Sequence, residues 1–148
     1  MVKKNYLLPL CVLASLSVVA AGAGSVAMAH SSVPEGLEQS LARTTQAGLF
    51  QVRIEPAQRP IPLYKIHRWI AVVTDRDGKP VSGAIIKVDG GMPQHGHGLP
   101  TRPVAIAGGA PGSYAIEGLK FSMDGWWELK LDIAANGSTD RVTFNVVL

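Results

Sequence analysis

The chain has 148 residues, room for one ordinary domain and no more. Lys and Arg outnumber Asp and Glu 14 to 11, but Lys3 and Lys4 sit in an acid-free leader, so His30–Leu148 carries 12 basic and 11 acidic residues and is close to neutral. Without a Lys/Arg stripe with interleaved aromatics there is no footing for nucleic acid, and the composition excludes collagenous, disordered and polytopic membrane classes.

Residues 1–29 read as a signal peptide. Lys3 and Lys4 form a charged n-region, an apolar run extends from Tyr6 to about Val26, and Ala27-Met28-Ala29 puts small residues at the positions a signal peptidase reads. This predicts export to the periplasm or the extracellular space. Because the apolar run is long enough to span a bilayer, an uncleaved inner-membrane anchor is the alternative, and only that alternative implies a membrane partner. Cys11 is the single cysteine and leaves with the leader, so the mature domain has no disulfide and no thiolate ligand.

Residues 30–46 are polar and without a strong period, which suggests a linker or loosely docked arm, with a short helix over Glu35–Arg43 as an option. From residue 47 onward the period is close to two. Phe50, Val52 and Ile54 alternate with polar neighbours; Pro56, Pro60 and Pro62 then break the strand into a loop. Trp69–Thr74 reads as a central strand, the Asp75–Pro80 cluster as a turn, and Val81–Val88 as the returning strand. Asp89–Pro103 reads as an irregular Gly/Pro loop, Val104–Ala107 as a short strand, and Tyr114–Phe121 as another after a glycine-rich turn. Trp127, Leu129, Leu131 and Ile133 form one apolar face, Asn136-Gly137 signals a hairpin, and Val142, Phe144, Val146 and Leu148 form the last face. The expected fold is all-β, an immunoglobulin-like antiparallel sandwich of about seven strands, with Trp69, Trp127 and Phe144 in its core.

The loop Gly90–Pro100 holds His95 and His97, two of the four histidines. In an extended backbone they face the same side, so both imidazoles can reach one ion. Met92 adds a thioether. Imidazole and thioether without thiolate or clustered carboxylate suit copper. The plainer reading is a Gly-rich surface loop with solvated histidines. His67, at the mouth of the Trp69 strand, and Met123, in the corner after Phe121, are further candidate ligands; a strand-end hydrogen bond and core filling are their ordinary roles.

Gly78-Lys79-Pro80-Val81, then Val88-Asp89-Gly90-Gly91-Met92-Pro93-Gln94-His95-Gly96-His97-Gly98-Leu99-Pro100-Thr101, then Glu117-Gly118-Leu119-Lys120-Phe121-Ser122-Met123-Asp124-Gly125-Trp126-Trp127 resemble the YtkA-like family, related to FixH-like proteins. The resemblance runs from about His67 to the C-terminus. It implies a small extracytoplasmic immunoglobulin-like β-sandwich, secreted or membrane-tethered, with copper handling associated with some members. Arg68 stands where members show a small residue between the histidine and the tryptophan.

Cleavage after Ala29 would make His30 the mature N-terminus, whose amine and imidazole could chelate copper. No Gly-x-Ser-x-Gly elbow, nucleophile–base pair, phosphate loop or dinucleotide fingerprint is present, so no enzyme is expected. Two functions remain. One is copper binding at the His/Met loop for metal handling or chaperoning, with a metal ion or periplasmic protein as partner. The other is a metal-free interaction module or membrane-tethered accessory subunit, for which Trp126, pointing opposite Trp127, is a candidate contact residue.

Overall fold

In the computed structural model, residues 33–148 are described; the expected leader, its cleavage point and His30 lie outside the described residues. Alternation builds the strands. Strand β2 (Phe50–Pro56) buries Phe50, Val52 and Ile54 and exposes Gln51, Arg53 and Glu55. Strands β8 (Trp126–Ala135) and β9 (Ser138–Val147) also bury every second side chain, with partly or fully exposed residues between them, and are joined through Asn136-Gly137 with φ of 52° and 75°. Positive φ at both central residues matches the twist of the flanking strands.

The remaining strands are β1 (Ala42–Thr44), β3 (His67–Asp75), β4 (Ile85–Met92), β5 (His97–Gly98), β6 (Val104–Ala107) and β7 (Ser113–Leu119). All pair antiparallel in the order β1-β2-β3-β7-β6-β4-β8-β9, with β5 on β4. Two layers, β1-β2-β3-β7-β6 and β4-β8-β9, face each other across one core. The β6–β4 seam has a single ladder pair, Lys87 with Val104. On the other side β1 approaches β9, where the Gln46 amide donates to the Arg141 carbonyl and Arg43 Nη1 donates to the Thr143 carbonyl. The result lies between a sandwich and a barrel.

Trp69, Trp127 and Phe144 are fully buried, as expected, together with Phe121, Leu129, Leu131 and Ile133. Each such apolar side chain contributes about 1.5–3 kcal/mol by leaving water. Tyr114 is buried too; its hydroxyl donates to the Val81 carbonyl (2.6 Å) and accepts from the Ala84 amide (2.8 Å), pinning the crossing that carries the chain from β3 to β4.

Four expectations need correction. The seven expected strands are all present, but β1 and β5 bring the number to nine. Residues 42–44 are sheet, not linker: β1 pairs with β2, and the following Thr45 is buried. Residues 35–43 contain no helix. The returning strand starts at Ile85 and continues through Asp89, Gly90 and Gly91 to Met92, inside the stretch expected to be irregular.

A buried carboxylate secures the closure. Asp140, on β9, accepts from the amides of Ala47, Leu49 and Arg141 at 2.8–3.1 Å. Burial pushes its carboxyl up, but the Thr45 hydroxyl and those three amides outweigh burial and hold it at about 2. Beside it, the Arg141 guanidinium grips Asp132 through Nε and, at 2.8 Å, Nη2, which keeps the Asp132 carboxyl below the ordinary range.

Candidate metal centre

The strand registers carry all five candidate residues to one end of the sandwich. His67 opens β3 level with Leu119 of β7; β6 sets Val104 beside Glu117 and Lys87; β4 then runs from Lys87 down to Met92. Strand β8 begins at that end with Trp126, and β9 finishes there with Val147.

His95 and His97 come together by a tighter route than an extended strand. Pro93–His95 form one 3-10 turn, Gly96 turns the chain with φ 64°, and His97 pairs with Met92 as β5. Both histidines are exposed, with ring centroids 5.9 Å apart. A metal–imidazole bond of about 2.0–2.1 Å places a ring centroid about 3.2 Å from the ion, so two rings sharing an ion sit about 4.5–6.4 Å apart as the ligand–metal–ligand angle opens from a right angle to a straight line. The observed pair falls inside that window.

Gly91 makes this packing possible. A Cβ there would lie 2.1 Å from the His97 carbonyl oxygen, closer than any side chain tolerates. A shallow hollow of ≈ 230 Å³ lies against His97, lined also by Met92, Glu128 and Lys130. Glu128 Oε2 is already paired with Lys130 Nζ at 2.9 Å. Among the described residues no three His, Cys, Asp or Glu side chains gather at metal-holding distance. The exposed pair therefore brings two imidazoles together with no third such side chain beside them among the described residues.

The other three candidates lie on the inner side. Met92 is 1% exposed and packs in the core, and Met123 is half-buried against it. His67 is 9% exposed; its ring lies 5.3 Å from that of Phe121. The five candidates thus divide into an exposed imidazole pair and an interior group of one imidazole and two thioethers. Sequence spacing could not show that division, because it depends on which face of each strand meets the opposite layer.

Trp126, at the start of β8, is half-buried. Its Nε1 donates to Asn145 Oδ1 at 3.0 Å, and Asn145 Nδ2 donates to the Glu38 carbonyl at 2.8 Å. It ties the segment before β1 to the β8–β9 hairpin. The Phe121–Trp127 corner carries more than its sequence announced: Trp127 Nε1 donates to the Met123 carbonyl at 3.0 Å, and the Phe121 and Trp127 rings stand 5.1 Å apart. The Phe-Ser-Met-Asp-Gly-Trp-Trp run was the available signal.

Among solved structures, a DUF4426-family protein from Pseudomonas aeruginosa superposes with a TM-score of 0.53 at 15% identity, covering 75% of this chain and 96% of that one, which shows the same fold. The C-terminal domain of ZirS has a TM-score of 0.41 at 12% identity, covering 100% of this chain and 88% of that one. No curated protein matches the chain in sequence. The YtkA-like family profile matches residues 45–132, spanning β2 to most of β8 and containing the His95/His97 loop and the Phe121–Trp127 corner. With more than half its length so matched, the chain belongs to the YtkA-like family.

Proposed function

We propose that the protein is an exported, non-enzymatic copper-handling β-sandwich that offers His95 and His97 to one copper ion at its open end. The observation that supports this most is the exposed imidazole pair with a 5.9 Å ring separation, built on a strand turn that Gly91 alone permits. Two neutral imidazoles without a third such ligand beside them among the described residues suit an ion that is received and passed on, because a partner's ligands can enter before the first two leave. Imidazole must be unprotonated to coordinate, so copper is released as acidity rises. The export reading rests on the leader composition.

The test is Cu(II) titration of the wild type and of His95→Ala/His97→Ala against a competing chelator. The variant should lose more than the roughly 10–100-fold that removing an outer-shell partner typically costs, because it removes the ligands themselves. Equal affinity in both would sink the site.

A metal-free interaction module is the second reading, favoured by a row of apolar side chains across the outer face. Ile70 pairs with Ala115 and Ala115 with Ile106; Ile85 stands on β4 two residues before Lys87, which pairs with Val104 across the seam. Ile85 is 69% exposed and Ile106 is exposed as well. Exposed apolar side chains along neighbouring strands support a contact surface. Failure of copper binding with concentration-dependent association lost in Ile85→Lys/Ile106→Lys would favour this reading.

A further inference from the structure

The loop between β2 and β3 ends in an outward tip, Tyr64-Lys65-Ile66. Tyr64 is 64% exposed, Ile66 is 68% exposed, and Lys65 between them is exposed as well. Single apolar side chains on a surface are ordinary, but these two share one tip whose backbone is strained. Tyr64 has φ 63°, a left-handed conformation that Asn or Gly adopts readily and a large ring-bearing residue avoids. Three anchors impose it. Leu63 packs against the core, and the Tyr64 amide donates to the Phe121 carbonyl at 2.8 Å. His67 Nδ1 lies 3.0 Å from the Lys65 carbonyl oxygen; a carbonyl only accepts, so the buried ring donates and braces the tip. Strain that the surroundings hold in place is a mark of a site that must be presented.

The tip is also basic. From Pro56 to Thr74 the sequence contains no carboxylate, and Arg59, Lys65 and Arg68 are all exposed. Arg68 Nε is taken by Glu117 Oε1, while Arg59 and Lys65 have no carboxylate partner among the described residues. Glu55, near the end of β2, and Asp124, in the corner that follows Phe121, are the exposed carboxylates on the adjoining segments.

We infer that this tip docks the domain on an anionic phospholipid surface, with the Tyr64 ring and Ile66 entering the headgroup boundary and Lys65 and Arg59 meeting the phosphates. A tyrosine suits that depth because its ring is apolar and its hydroxyl stays wet. Basic side chains beside it lay their stems along the apolar layer and keep their charge among the headgroups. Lys65 decides between a bilayer and a protein. It stands at the centre of the tip, where a protein partner would have to desolvate its ammonium, and lysine is depleted in such interfaces. A lipid surface leaves the ammonium hydrated and beside negative charge. Two apolar side chains and two cations give reversible attachment, not a span. This surface is separate from copper binding, and only the presence of such a bilayer beside the protein rests on the export reading.

The experiment sediments the exported protein with vesicles of equal parts phosphatidylglycerol and phosphatidylcholine, and with vesicles of phosphatidylcholine alone. Wild type should pellet with the anionic vesicles, weakly with the neutral ones, and less as salt is raised. Arg59→Gln/Lys65→Gln should weaken the partition by about 30-fold, since each cation near such a surface is worth about fivefold. Tyr64→Asn/Ile66→Ser should weaken it by about tenfold or more. Tyr64→Asn alone gives the sharper readout: it relieves the left-handed strain while removing the ring, so its urea midpoint should equal or exceed that of wild type as vesicle binding falls. A lower midpoint would show that the ring serves the fold and would overturn the proposal. Equal binding to both vesicle types, unchanged in the variants, would assign the attachment to a retained leader and overturn it as well. So would absence of binding by wild type, which would leave the tip to a protein partner. His95→Ala/His97→Ala should bind vesicles as wild type does, so this inference and the copper reading fail separately.

Discussion

Replacing Asp140 by Asn keeps the side-chain shape but removes the charge and turns one acceptor into an N–H₂ group that faces backbone amides. In the wild type those amides, from Ala47, Leu49 and Arg141, all donate to the carboxylate. Its pKa falls from 3.8 to about 2 on folding. At about 1.36 kcal/mol per unit, and allowing for solvent screening, that difference is a stabilisation of about 1–2 kcal/mol. Because the folded pKa is the lower one, the stabilisation is full above pH 3.8 and is lost as pH falls through about 2. Roughly half is gone at pH 3. Urea unfolding of both proteins at pH 7 and pH 3 measures this directly. The variant should be less stable by about 1–3 kcal/mol at pH 7, and the gap should narrow by about 0.5–1 kcal/mol at pH 3. A gap of the same size at both values would refute the claim that the charge, rather than the shape, holds the closure.

Gly91→Ala should detach β5 and separate the two imidazoles, with Cu(II) affinity falling towards that of His95→Ala/His97→Ala; retained affinity in a folded variant would contradict the close packing of β4 on β5. Tyr114→Phe leaves the buried Val81 carbonyl and the part-buried Ala84 amide without their shared partner, and stranding the buried carbonyl costs about 1–3 kcal/mol. The urea midpoint should drop accordingly, and a midpoint indistinguishable from wild type would mean that the crossing is held by packing alone. Asn145→Ala removes the link from Trp126 to the Glu38 carbonyl, so amides of residues 36–40 should exchange faster while those of β8 stay protected.

Strands with a strict period of two were legible from the residues themselves. Phe50, Val52 and Ile54, and the faces of β8 and β9, sit where alternation puts them. The misread boundary at β4 has a physical cause: Gly90 and Gly91 read as loop residues, yet they are glycine because a Cβ would meet the Glu128 and His97 carbonyls at 2.2 and 2.1 Å. Strand β1 is three residues with no apolar alternation and gains its place only from β2 and β9. The approach of His95 to His97 was foreseen, but through an extended backbone; the 3-10 turn and the bend at Gly96 achieve it instead. That His67 turns inward rather than towards the loop depends on Phe121, far along the chain, and no local pattern carries that information.

The closure between β1 and β9 also orders events in time. The Ala47 amide bonds to Asp140, 93 residues later, so the first strand has no lasting partner on that side until the final hairpin exists. Contacts between distant parts of a chain must overcome the entropy of a large loop before they return any stabilisation, which puts such topologies in the millisecond-to-second range of folding. A chain emerging from its N-terminus stays open along this edge until nearly its whole length is available. Losing the last ten residues would therefore leave both the β1 side and the β8 edge uncovered, rather than merely shortening one strand.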